Sequence, residues 1–173
     1  MVKVAVLYSD GMEEIEAITP TDILKRAGAE VITFSVSDKT VRGSHNVLIT
    51  ADKLVHELTA DFDAIVIPGG MPGATNIAKC IKAIDVIKKM AIDGKRICAI
   101  CASPAVVLAS NNLLDGVRAT CYKAPDFITL MQSAIYTTDN VVVDKNFISA
   151  NGPKSAFEFS LTICKELNLS PKF

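Results

Sequence analysis

The chain has 173 residues, half of them apolar and 21% charged, with a net charge of −1. That length supports one domain with a substantial core, and the composition excludes a disordered chain. The interspersed charges exclude a basic stripe for nucleic acid, and no apolar run approaches the roughly 18 residues that span a bilayer.

Residues 2–8, VKVAVLY, read as a strand that ends at Ser9-Asp10-Gly11. Residues 13–28 carry Ile15, Ile18, Ile23, Leu24 and Ala27 at near-helical spacing and stop at Gly28. Pro20 lies inside this segment and is expected to bend or divide the helix. A second strand is predicted at 30–36, then a hairpin over 40–52 that turns near Gly43 to Asn46. DAIVIPGG, 63–70, reads as a buried strand running into a glycine turn. Helices are predicted near 74–80 and 83–93, a strand at 96–100 and a helix at 104–110. Short strands near 117–121, 135–137, 141–144 and 147–150 precede a final helix near 154–167.

Apolar strands alternating with helices indicate a mostly parallel sheet covered on both faces. The pair within 141–150 suits an antiparallel edge addition. The expected architecture is a single doubly wound α/β domain over residues 1–173. Sites in such folds lie beyond the carboxyl ends of strands. Ser9-Asp10-Gly11, Pro68-Gly69-Gly70 and Cys101 end there. The N-terminal strand is too short for a signal core, and five cysteines make an odd number for a disulfide framework. A reducing, cytoplasmic setting is expected.

Cys98 and Cys101 have the spacing of a redox or zinc pair. If 98–101 is a strand, the two Cα atoms stand about 10 Å apart, too far for a disulfide. Their side chains would also point to opposite faces. A zinc site needs more ligands than this chain clusters, so no metal is expected. Cys98, Cys80 and Cys164 read as core thiols. Cys101 differs because it ends a strand and precedes Pro104, a residue suited to a first helical turn. Free amides and the helix dipole there would favour thiolate and lower the thiol pKa. From spacing alone Cys101 is either such a nucleophile or a buried core thiol. His45 and His56 both precede it and read as surface residues, so a carboxylate is the remaining partner. Glu13 and Glu14 read as solvated first-turn residues. Glu16, flanked by Ile15 and Ala17, either does the same or points toward the end of the sheet.

Five stretches carry a resemblance: "SDGMEEIEAITPTDILKRAGAEV", "AIVIPGGMPGATN", "AICASPAVVLA", "ATCYKAPDF" and "NGPKSAFEFSLTICKEL". Together, in this order from about residue 2 to 168, they resemble the ThiJ/PfpI superfamily, in the branch of the parkinsonism-associated deglycases and their bacterial relatives. The resemblance implies a flavodoxin-like sandwich of the class I glutamine amidotransferase type, as a homodimer. It implies that Cys101 is the reactive elbow cysteine and that the Glu16 carboxyl group hydrogen-bonds its sulfur. Gly70 with Gly69, and Ala102, match the backbone donors of an anion pocket. Ala102 stands where the protease-like branch has His, which argues against a peptidase. Cys121 stands where some members have His and is a candidate modulator. His45 aligns near a position that approaches the partner subunit's site. Two departures are "CYK", where some bacterial relatives have Cys usually followed by Tyr-Pro, and "GPKS", where "GPGT" is common in relatives. The implied functions are glyoxalase or deglycase chemistry on small aldehydes and glycated substrates, redox sensing through a cysteine sulfinate, or a chaperone-like interaction. No cofactor is expected.

Overall fold

The computed structural model describes residues 1–173. Its strands are β1 (Lys3–Tyr8), β2 (Glu30–Ser35), β3 (Thr40–Arg42), β4 (Leu48–Thr50), β5 (Lys53–Leu54), β6 (Ala64–Ile67), β7 (Arg96–Ile100), β8 (Arg118–Ala119), β9 (Ile135–Tyr136), β10 (Val141–Asp144) and β11 (Phe147–Ala150). Seven of them form one sheet in the order β10-β11-β7-β6-β1-β2-β5. All neighbours in it are parallel except the edge pair β10–β11. The five strands β2-β1-β6-β7-β11 run in the flavodoxin order 2-1-3-4-5. The hairpin β3–β4 and the short parallel pair β8–β9 lie outside this sheet.

Both faces of the sheet are apolar, and the alternation along each strand sorts the core into two layers. Val4, Val6 and Tyr8 of β1 pack with Val66, Ile100 and the helices α1 (Glu14–Arg26) and α5 (Ala156–Glu166). Ala5 and Leu7 pack on the other side with Ile65, Ile97 and the helices α2 (Gly73–Lys79) and α3 (Ile81–Ile92). The chain leaves β1 toward β2 on one side and returns to β6 on the other. The carboxyl ends of β1 and β6 therefore flank the point where strand order reverses, and β7 is next in line. The candidate site hangs from these three strand ends.

Four local expectations change. Pro20 does not divide α1, which is continuous from Glu14 to Arg26. The proline removes one backbone donor, and Thr21 Oγ1 donates to Ala17 O at 2.7 Å within the same turn. Ile15 and Ile18 are exposed, while Glu16, Ala17 and Pro20 face the core. Residues 104–108 form a π-helical turn followed by a 3-10 turn at 109–111, where an α-helix was expected. A short helix, α4 (Pro125–Leu130), was not predicted; Pro125 opens it at the first helical turn.

Candidate active site at three strand ends

Cys101 is the first residue after β7 and has a φ of 64°. A non-glycine residue in this left-handed region is strained and must be held there. Its own amide donates to Ala150 O at 2.8 Å, and its carbonyl accepts from the Tyr122 amide at 2.8 Å. Ser103 Oγ donates to Pro68 O at 2.6 Å, which ties the turn to the end of β6. The positive φ takes the thiol out of the strand's alternation. Cys98, Ile100 and Cys101 consequently share one apolar layer, and the expected opposite facing of Cys98 and Cys101 does not hold. Both are free thiols, and Cys98 is fully buried.

Glu16 is fully buried in the first turn of α1. Its Oε2 accepts from the Gly69 amide at 2.8 Å. Oε1 is buried and makes no hydrogen bond in this geometry, with the Cys101 thiol near enough to pull on the carboxyl group. The Gly69 amide, expected in the anion pocket, thus serves Glu16. The amides of Gly70 and Ala102 are the ones close enough to the sulfur to favour its thiolate. A Cβ on Gly69 would lie 2.6 Å from Cys101 Cβ and 2.7 Å from Glu16 Oε2, so only glycine permits this approach.

Burial is the main force on Glu16 and raises its pKa to about 7. The thiol and the Gly69 amide pull the other way, and the Glu13 charge adds to the rise. Burial also raises the Cys101 thiol, with the Glu16 charge second, against the lowering pull of the Gly70 and Ala102 amides. This reverses the sequence expectation of a depressed thiol pKa. That expectation counted a helix N-terminus, which the π turn does not supply at length, and omitted desolvation and the neighbouring acid. The Glu16 effect depends on its charge. A neutral Glu16 exerts no repulsion and offers its proton to the sulfur, so the pair resists holding two negative charges and readily holds one.

Glu13 was read as solvated and is buried. It caps α1, its Oε2 accepting from the Glu16 amide at 2.9 Å. The three-residue spacing of Glu13 and Glu16 was the available signal for this cap. Glu14 is also committed: it accepts from the His45 amide at 2.6 Å and meets His45 Nδ1 at 2.8 Å. Burial opposes its ionisation, but the hydrogen bonds from His45 and Ser44 outweigh this and hold Glu14 at about 2. The same contact raises the exposed His45. Donor atoms of Glu13, Glu14 and His45 lie within 4.8 Å of one another, a geometry that could hold a cation. His45 lies on the β3–β4 turn, and its hydrogen bonds and ion pairs go to Ser44, Glu14 and Glu13, not to Cys101. Cys121 is buried in the opposite apolar layer, its thiol donating to Tyr122 O at 3.4 Å. Burial pushes it up to about 11. The next residue, Tyr122, donates its amide to Cys101 O at 2.8 Å.

The DJ-1/PfpI family profile matches residues 2–166, the span that contains all of these groups. The chain belongs to the DJ-1/PfpI family. It is 38% identical over 166 residues to an Arabidopsis thaliana relative, Protein DJ-1 homolog A, covering 95% of this chain and 42% of that one. The chain thus spans about two fifths of that relative's length. It is 36% identical over 163 residues to the Caenorhabditis elegans Glutathione-independent glyoxalase DJR-1.2, covering 93% and 86% of the two chains. The structure of oxidized Toxoplasma gondii DJ-1 superposes with a TM-score of 0.92 at 41% identity, over 96% of this chain and 91% of that one. The sandwich expected from alternating strands and helices is thus the DJ-1/PfpI fold. No helix is long and apolar enough to cross a membrane.

Proposed function

We propose that this protein uses Cys101 as a nucleophile on small reactive aldehydes, in glyoxalase-type or deglycase-type chemistry, with Glu16 as proton shuttle. The observation that carries this reading is a fully buried carboxyl group raised to about 7 beside an elbow thiol. A group near 7 can take and return a proton at neutral pH. Glu16 accepts the thiol proton, and the sulfur attacks the aldehyde carbon. The S–C bond forms as the carbonyl π pair moves to oxygen, and Glu16 returns the proton to give a hemithioacetal. The Gly70 and Ala102 amides favour negative charge at the sulfur, and the addition is redox-neutral. The glyoxalase name of the Caenorhabditis elegans relative supports it. With His56 exposed and His45 bound to Glu14, the base role falls to Glu16.

A redox reading draws on the same donors. Two amides and a protonated Glu16 suit an anionic sulfinate on Cys101, and an oxidized relative shares the fold. One pair of measurements tests both. Cys101→Ser is expected to lower methylglyoxal consumption at least tenfold and to abolish a two-oxygen mass gain under mild peroxide. Unchanged consumption in the variant removes the aldehyde reading, and a wild-type Cys101 inert to peroxide removes the redox one.

The proposed assembly is a homodimer. Exposed Ile15 and Ile18 on α1 and exposed Val47 and Leu48 at the β3–β4 hairpin support a face for a second copy. Sedimentation should report twice the 18.5 kDa chain mass, and Ile18→Glu combined with Leu48→Glu should halve it. A monomeric wild type would exclude the dimer. The five unpaired thiols support a reducing, cytoplasmic setting.

A further inference from the structure

We infer that the cavity beside the Cys101 elbow is an anion subsite, in which Lys123 and Lys154 select substrates carrying a carboxylate or phosphate group. This deepens the aldehyde reading and rests on Cys101 as the reacting group.

The cavity has a volume of about 420 Å³ and is lined by Tyr122, Lys123, Asn151, Gly152, Pro153 and Lys154. That is room for a small ligand. Its two walls are the segments that hold Cys101 in place. One begins at Tyr122, whose amide donates to Cys101 O at 2.8 Å, and the other follows Ala150, whose carbonyl accepts the Cys101 amide at 2.8 Å. Tyr122 lies against Gly152, where an added Cβ would stand 3.3 Å from the ring. This contact brings the two lysines, 31 residues apart in sequence, to one cavity.

The polar groups there differ in commitment. Asn151 Oδ1 accepts from Ser155 Oγ at 2.7 Å, and its amide nitrogen donates to Asn140 at 3.1 Å. Neither lysine takes part in any ion pair of the molecule. No acid lines the cavity; the nearest in sequence, Asp126 and Glu158, lie outside it. Two uncompensated cations therefore line one concave space whose walls bond the Cys101 backbone. Lysine ammonium groups are mobile point charges, suited to anions of varied shape. A small α-oxo aldehyde bearing an anionic group would place its carbonyl at Cys101 with its charge toward these lysines.

The test compares alkylation of Cys101 by iodoacetate and by iodoacetamide, which share a leaving group and differ in charge. Rates are read by peptide mapping in the wild type and in Lys123→Met/Lys154→Met. The double variant is expected to lose about two- to fivefold in the iodoacetate rate at low salt, with the difference gone near 1 M salt. Its iodoacetamide rate should be unchanged. Inorganic phosphate should slow iodoacetate on the wild type and not on the double variant. An unchanged ratio of the two rates, or an equal fall in both, overturns the subsite while leaving the aldehyde reading intact. Failure of iodoacetamide to reach Cys101 in the wild type removes the nucleophile, and the subsite with it.

Discussion

Gly69→Ala is expected to destabilise the protein by about 3–5 kcal/mol and to abolish the reactivity of Cys101. The added methyl would meet three different groups at once: Cys101 Cβ at 2.6 Å, Glu16 Oε2 at 2.7 Å and Ile100 O at 2.8 Å. None is the free end of a flexible chain. Ile100 O belongs to β7, Cys101 is pinned on both sides of its peptide, and Glu16 is fully buried. Overpacking a rigid site costs about 1–3 kcal/mol. Pushing Glu16 away also breaks its bond from the Gly69 amide, and a buried carboxyl left unpaired costs about 1–3 kcal/mol more. Gly28→Ala is the control. Its φ of 84° disfavours alanine, but no atom lies within 4 Å of the new methyl, so the cost should be about 1 kcal/mol. Urea unfolding gives both stabilities, and iodoacetamide labelling reports the thiol. A loss below about 1 kcal/mol at Gly69 with Cys101 still reactive would mean that the three strand ends are not locked together.

The strand ends were legible because strands with both faces buried write themselves as continuous apolar runs. VAVLY and AIVI could hardly be anything else, and the elbow followed from a cysteine at such an end. The face of α1 was not legible in the same way. Hydrophobicity pointed Ile15 and Ile18 inward, yet the helix turns Glu16 toward the thiol and leaves both isoleucines exposed. A buried acid breaks the periodicity rule at the position where chemistry requires it. Glu13 was missed for the same reason: as a glutamate it reads as solvated, and only the cap it makes on the Glu16 amide shows its place. The thiol pKa was misjudged because sequence shows neighbours along the chain and hides desolvation. The charge of Glu16 reaches Cys101 across 85 positions of sequence. α4 escaped because six residues with exposed Leu130 carry no period to read.

Glu16→Gln should make the protein more stable than the wild type above neutral pH, by as much as about 3 kcal/mol, and leave stability near pH 4 unchanged. The sign follows from the protons bound in each state. The folded carboxyl titrates near 7, against an ordinary value of 4.5. Between these pH values the folded protein keeps a proton that the unfolded chain releases, so folding stability falls as pH rises through the window. Below about 4.5 both states are protonated and the term is absent; above about 7 it is fully developed. A gap of about 2.5 pH units at 1.36 kcal/mol each gives the magnitude to first order. Glutamine is neutral throughout. Its oxygen can accept from the Gly69 amide and its NH₂ can donate to the sulfur, so the geometry of the site survives. Glu14 raises His45 above its ordinary value, but that pairing is the same in both proteins and cancels in their difference. Urea unfolding of both proteins from pH 4 to 8 supplies that difference directly. Parallel stability curves would show that Glu16 titrates normally in the folded state. A variant less stable than wild type at pH 8 would show an ionised Glu16 held by favourable charge. Either result would remove the proton shuttle, because a carboxyl that costs nothing to ionise in place has no proton to return to the sulfur's adduct.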